Sequence, residues 1–227
     1  MDISAFLALG AALSWTMAAL FAHGPARELG SLHFNRVRMV AATIVMLLLI
    51  LLTDRSIVID SLFWPAIFLS AVTGVVMGDF FLFAALRRLG PRRSNVLFAT
   101  NAIFAAVLGW LILEESLPAR TGLAILIGFS GVVLAVIYGK RRDLLHQWEE
   151  IKPPLWIGVG LGLLAAFFQA IGVLAVRPVM AAGTDPVAVG FTRVAIGAVV
   201  FWATLPFDLN MKSQNLFPSG RTLLFVA

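Results

Sequence analysis

The strongest constraint on this chain is a succession of apolar runs, each about as long as a bilayer is thick. A membrane-crossing helix needs roughly 20 mostly apolar residues. Seven stretches meet or approach that length: Ile3–Ala22, Ser31–Thr53, Ser61–Leu86, Ser94–Leu113, Thr121–Gly139, Leu155–Val176 and Pro186–Pro206. Inside hydrocarbon every backbone polar group must be satisfied internally, which a helix does by itself. The expected fold is therefore an all-α integral membrane protein that crosses the bilayer several times. Composition agrees: 60% of the residues are hydrophobic and 13% charged, where soluble domains carry about 25% charged residues. The net charge of +5 does not point to nucleic acid. The basic residues sit in short clusters between apolar runs, where membrane orientation signals belong.

Several chemistries are excluded or unsupported. The chain has no cysteine, so disulfides, thiolate metal sites and cysteine nucleophiles are ruled out. His23, His33 and His146 lie in or near connections without ligand spacing, and no phosphate-cradling glycine loop is present. Gly158, Gly160 and Gly162 lie in an apolar run without the spacing of a dinucleotide site. No cofactor is expected. Met1-Asp2-Ile3-Ser4 lacks the basic segment of a secretory signal, so the first run reads as a span.

The longest polar segment, Lys140 to Pro154, divides the chain into a unit over 1–139, a linker over 140–154 and a second unit over 155–227. Phe34-Asn35-Arg36-Val37 opens the second apolar run, and Phe191-Thr192-Arg193-Val194 lies early in the seventh. Each follows an uncharged run rich in Gly and Ala. A unit of five helices is odd in number, so a repeat of it enters the membrane upside down. That inverted-repeat plan places a site at the interface of the units near the midplane. Ten helices are expected of the whole plan, about seven of them complete here; Leu223–Ala227 reads as an eighth barely begun. Arg27, Arg87, Arg88, Arg92, Arg93 and Lys140–Arg142 fall in one set of loops, against Arg55, Arg120 and Arg177 in the other. The richer set is expected in the cytoplasm.

Asp79 is the sharpest candidate, the only charge in its run. An Asp at the bilayer centre costs roughly 2.5–3.5 kcal/mol on insertion scales. Its two readings are a proton- or cation-coupling carboxylate, and a structural partner for an arginine or a water-filled cavity. Arg36 and Arg193 are the repeat-related pair. A guanidinium fork matches carboxylate or phosphate, suiting an anionic or zwitterionic solute; the alternative is snorkelling to the headgroups. Arg38 reads as an orientation charge. Trp15 stands inside its run and either lines a cavity or packs, whereas Trp64, Trp110, Trp156 and Trp202 fall near run ends like an interfacial belt. Asn95, Thr100, Asn101 and Gln169 either line a path or hydrogen-bond between helices, the second being preferred. Gly74 with Gly78, and Gly158 with Gly162, have the spacing of close helix contacts.

One longer pattern carries a family resemblance. It runs from Ala84-Ala85-Leu86-Arg87-Arg88-Leu89-Gly90-Pro91 through Phe104-Ala105-Ala106-Val107-Leu108-Gly109-Trp110, closes on Glu114-Glu115 and continues from Gly122 to Leu134. This resembles the EamA-like domain of the drug/metabolite transporter superfamily, over one five-helix unit and the start of another. Relatives usually carry a proline before the Phe-Ala-Ala run, where Ala102 stands here, which puts a proline-based kink in question. The resemblance implies a secondary transporter of a small metabolite, amino acid or drug-like solute, rather than an enzyme. It would be multi-pass in a plasma membrane such as the bacterial inner membrane, working by alternating access. Asp79, Arg36, Arg193, Trp15, Asn101 and Gln169 are then the candidate substrate-binding or coupling residues. The partners expected are the solute, the lipid bilayer and a second copy in a homodimer, and not nucleic acid. The competing class is an integral membrane enzyme or lipid-handling protein; its usual carboxylate clusters are represented only by Glu114-Glu115 at a run end.

Overall fold

The structure, a computed structural model, describes residues 3–138 and 154–205. Among the described residues every regular element is helical. In chain order these are α1 (Ile3–Leu52), a 3₁₀ turn (Ser61–Phe63), α2 (Trp64–Ser70), a π-helical segment (Ala71–Met77), α3 (Gly78–Phe98), α4 (Asn101–Leu113), α5 (Ala119–Ile137), α6 (Leu155–Ala181) and α7 (Pro186–Ala203). Five helical runs are long and apolar enough to cross a membrane: Leu9–Leu52, Ser61–Phe98, Ala119–Val136, Leu155–Ala181 and Pro186–Ala203. Of the linker expected over 140–154, residues 140–153 lie outside the described residues, as does the apolar end at Leu223–Ala227.

Two of these runs, of 44 and 38 residues, are about twice the length a bilayer requires. Each is broken at one glycine. Gly30 has φ 80° and ψ 156° inside α1, and Gly90 has φ 76° and ψ 170° inside α3. Positive φ is open to glycine at no steric cost, so one residue reverses the chain where a longer loop would otherwise be needed. The loop expected around Arg27 and Glu28 is therefore helical, and the turn is confined to Gly30. Pro25 is accommodated within the helix before it.

The run expected as one helix over Ser94–Leu113 is divided. The second limb of α3 (91–98) ends at Phe98, and α4 begins at Asn101. Between them the Thr100 N–H and hydroxyl both donate to the Leu97 carbonyl, at 3.1 and 2.6 Å. The break is made without a proline: a hydroxyl returning to its own turn can bend a helix.

Helices in lipid gain little from hiding apolar surface against one another, so close approach of small residues does most of the packing. The many exposed large side chains, Leu52, Leu62 and Val199 among them, form the surface such a solvent would cover. α6 runs along α3 and α4 and against the π segment. A Cβ on Gly172 would fall 2.5 Å from the Gly74 Cα, and one on Gly162 would fall 2.8 Å from Leu97 Cδ1. The Ser70 hydroxyl donates to the Gly172 carbonyl across the same contact. The expected glycine contacts are present, and Gly172 adds to them.

The second limb of α1 (31–52) and α7 lie antiparallel, pinned at both ends. At one end Arg36 donates from Nε to the Phe201 carbonyl and from Nη2 to Thr204 Oγ1, each at 3.0 Å. At the other, Arg55 pairs with Asp185, the N-cap of α7, at 2.8 Å. Phe34–Val37 and Phe191–Val194 consequently run in opposite directions, the first in the opening turns of its limb and the second more than one turn into α7.

Candidate functional site

The local cause of the site is the π segment. The Gly78 N–H reaches back to the Thr73 carbonyl, five residues away. One added residue in a turn swings the succeeding side chains by about 100°. Asp79 is the second residue of α3, directly after this change of pitch. The residue is 7% exposed, and its carboxylate is paired with Arg38 from the second limb of α1.

Arg38 is held from two further directions. Its guanidinium lies 4.9 Å from the centroid of the Phe83 ring, and its Nη2 donates to Asn35 Oδ1 at 3.4 Å. Asn35 is itself fixed, because its side-chain amide donates to the Ser31 carbonyl at 2.8 Å. A cation over an aromatic face is attracted by the ring quadrupole. The arginine is therefore oriented by the protein itself.

Asp79 and Arg38 form part of the wall of a cavity of about 60 Å³, which Trp15, Ala18, Ala22, Leu86 and Asn95 help to line. On this measure one water needs about 10–15 Å³, so the cavity has room for several waters or a small polar group. Trp15 stacks on Phe98 with centroids 5.3 Å apart and planes 7° from parallel. That ring spans the gap between the first limb of α1 and the end of α3.

The sequence candidates separate into three groups. Asp79 and Trp15 share the cavity wall. Arg193 and Gln169 stand on the other side of the π segment: a Cβ on Gly74 would lie 3.0 Å from Arg193 Nη2 and 3.5 Å from Gln169 Oε1. They are close to Asp79, and Arg193 acts on its carboxylate electrostatically. Arg36 is elsewhere. It is fully buried and its guanidinium is engaged with the carbonyl end of α7. Asn101 stands half-buried at the start of α4, outside the cavity lining.

Arg38 is the residue that sequence reasoning misses, since its place early in an apolar run reads as an orientation charge. Its partner lies 41 positions away, so no local spacing signals the pair; the available signal is that a buried carboxylate needs a cation. Asn95, expected to hydrogen-bond between helices, instead lines the cavity. Thr100 spends its hydroxyl on its own turn rather than on a solute path. Among the described residues no group of three His, Cys, Asp or Glu side chains could hold a metal ion.

With this geometry in place, comparison with known proteins is informative. Residues 2–137 match the sequence profile of the EamA-like transporter family. A protein of Acidianus ambivalens described as an uncharacterized transporter in the sor 3′ region is 30% identical over 146 residues, 64% of this chain and 52% of that protein. A solute carrier family 35 member B1 homolog of Drosophila melanogaster is 31% identical over 92 residues, 40% of this chain and 26% of that protein. A crystal structure of a protein with no fuller description has the same fold, with a TM-score of 0.58 at 19% identity over 94% of this chain and 72% of that one. The chain thus spans about half the length of the first curated relative and about a quarter of the second.

Proposed function

Since the chain belongs to the EamA-like transporter family, we propose that it acts in a secondary transporter that moves a small solute across the plasma membrane by alternating access. Such a solute would be a metabolite, amino acid or drug-like molecule, and a bacterial inner membrane is the setting that suits the chain. In this reading residues 1–139 are one five-helix unit, 140–154 a linker, and 155 onward belong to a second unit of inverted topology in a ten-helix plan.

The observation that carries the reading is a carboxylate buried among apolar helices, paired with one arginine and facing a small cavity. A charge kept in such a place at a cost of a few kcal/mol is a functional feature by default. The antiparallel pairing of 31–52 with α7 supports the inverted plan, because the two related four-residue motifs then run in opposite directions. The glycine contact between the π segment and α6 supplies a close, smooth surface on which one unit can rock against the other. Asp79, Arg38 and Trp15 are the groups we place on the solute path, with Arg193 and Gln169 beside it.

Reconstitution into sealed vesicles tests this. Gradient-dependent uptake of radiolabelled amino acids or organic acids is the expected result. Turnover of a bilayer lipid without solute flux would replace the reading with a membrane enzyme.

A further inference from the structure

We infer that the site takes a solute with one net negative charge, carried on a carboxylate or phosphate, and that Arg193 is the group that holds it. This rests on the transporter reading above. Arg38 pairs with the carboxylate of Asp79, and a second guanidinium, that of Arg193, stands over Gly74 in the π segment just before it. Arginine stays protonated in proteins, so one negative charge faces two positive ones. The other carboxylates of the described residues, Glu28, Asp54, Asp60, Glu114, Glu115 and Asp185, stand near helix ends or in connections, where Asp185 answers Arg55 and Glu115 answers Arg177.

The two arginines are not equivalent. Arg38 is paired with Asp79 and oriented by Asn35 and Phe83. Arg193 lies over the bare backbone of Gly74, its Nη2 3.0 Å from where a Cβ would stand. The Nε of each arginine is buried without a hydrogen-bond partner among the described residues, but Arg38 donates from Nη2 to Asp79 and Asn35. A desolvated cation with an unmet donor is costly until an anion reaches it. Gly74 and Gly78 are buried and put no side chain of their own between the π segment and Arg193, and Gln169 stands beside both, its Oε1 3.5 and 3.3 Å from their would-be Cβ positions. An amide side chain presents either a donor or an acceptor by rotation. A fork of N–H groups beside an amide fits an oxyanion. A zwitterion fits less well, since its ammonium would need a free carboxylate and Asp79 is engaged.

The test is charge-selective binding by the full chain in an uncharged detergent, followed as the thermal midpoint by tryptophan fluorescence. Butyrate, butyramide and inorganic phosphate are titrated at constant ionic strength. Butyrate and phosphate should raise the midpoint and butyramide should not. Arg193→Gln should weaken butyrate binding about tenfold or more, as expected for one charge-assisted hydrogen-bonding partner, and Arg193→Lys should recover part of it. Arg55→Gln, at a helix end, should leave the response as it is. Equal responses to butyrate and butyramide, or an unchanged butyrate response in Arg193→Gln, overturn the inference. Phosphatidylglycerol added in place of phosphatidylcholine separates the sources of the anion: loss of the butyrate response with the anionic lipid alone assigns the site to a headgroup and overturns the solute assignment. Charge-blind binding with flux intact removes this inference only. Charge-selective binding without flux removes the transporter reading and leaves an anion site.

Discussion

The guanidinium of Arg36 donates from Nε to the main-chain carbonyl of Phe201 at 3.0 Å, closing the end of α7 onto the start of the limb over residues 31–52. A helix C-terminus has carbonyls without intrahelical partners, and a cation there also meets the favourable end of the helix dipole. Arg36 is therefore a fastener, while Arg193, at the matching place of the similar four-residue motif, points at the π segment. Arg36→Gln should lower stability by about 2–4 kcal/mol, because it strips a charged donor from buried acceptors. Thermal unfolding in detergent measures this, and the dependence of the midpoint on butyrate should not change.

The contact between α6 and the π segment makes a graded prediction. A Cβ on Gly172 would fall 2.5 Å from Gly74 Cα and 3.1 Å from the Ser70 carbonyl, whereas Gly160 has nothing within 4 Å. Gly172→Ala should cost about 1–3 kcal/mol, the usual range for overpacking. Gly160→Ala should be neutral or slightly stabilising, since alanine is the better helix former. The difference between two single-methyl variants of one helix, read as unfolding midpoints, is the check.

Asp185 gives a pH dependence with a definite sign. The Val187 backbone N–H and then the Arg55 guanidinium hold its carboxyl below the ordinary value of 3.8. A group whose acidity is strengthened on folding contributes stability that is fully present above its unfolded pKa. That contribution fades as the pH falls through the lower, folded value. Unfolding midpoints of the wild type and Asp185→Asn should therefore differ by a constant amount from neutrality down to about pH 4, and converge in more acidic solution. The pair is at the water-facing end of α7, so the difference should also shrink with added salt.

The spans were legible because hydrocarbon demands long apolar runs and little else. Each of the seven runs contains helix, although Ser94–Leu113 is split at Thr100. What escaped was how they turn and touch. Arg27 and Glu28 look like a loop to a reader of charge, yet polar residues continue a helix readily, and the reversal needed only the positive φ of Gly30. The π segment has no compositional mark; its Gly74 and Gly78 announce close packing but not the added residue per turn. Asp79 stood out because a lone carboxylate in an apolar run is conspicuous. Its partner did not, since Arg38 and Asp79 are joined only by the folding of α1 against α3.

The most direct measurement is solute flux into vesicles by Asp79→Asn beside the wild type, with insertion and folding of both confirmed by protease protection and thermal unfolding. The substitution keeps the size of the side chain and removes the charge that Arg38 answers. Loss of gradient-driven flux in a chain that still inserts and unfolds cooperatively is the result expected. Flux at the wild-type rate would contradict the account and leave the Asp79–Arg38 pair as a brace between two helices.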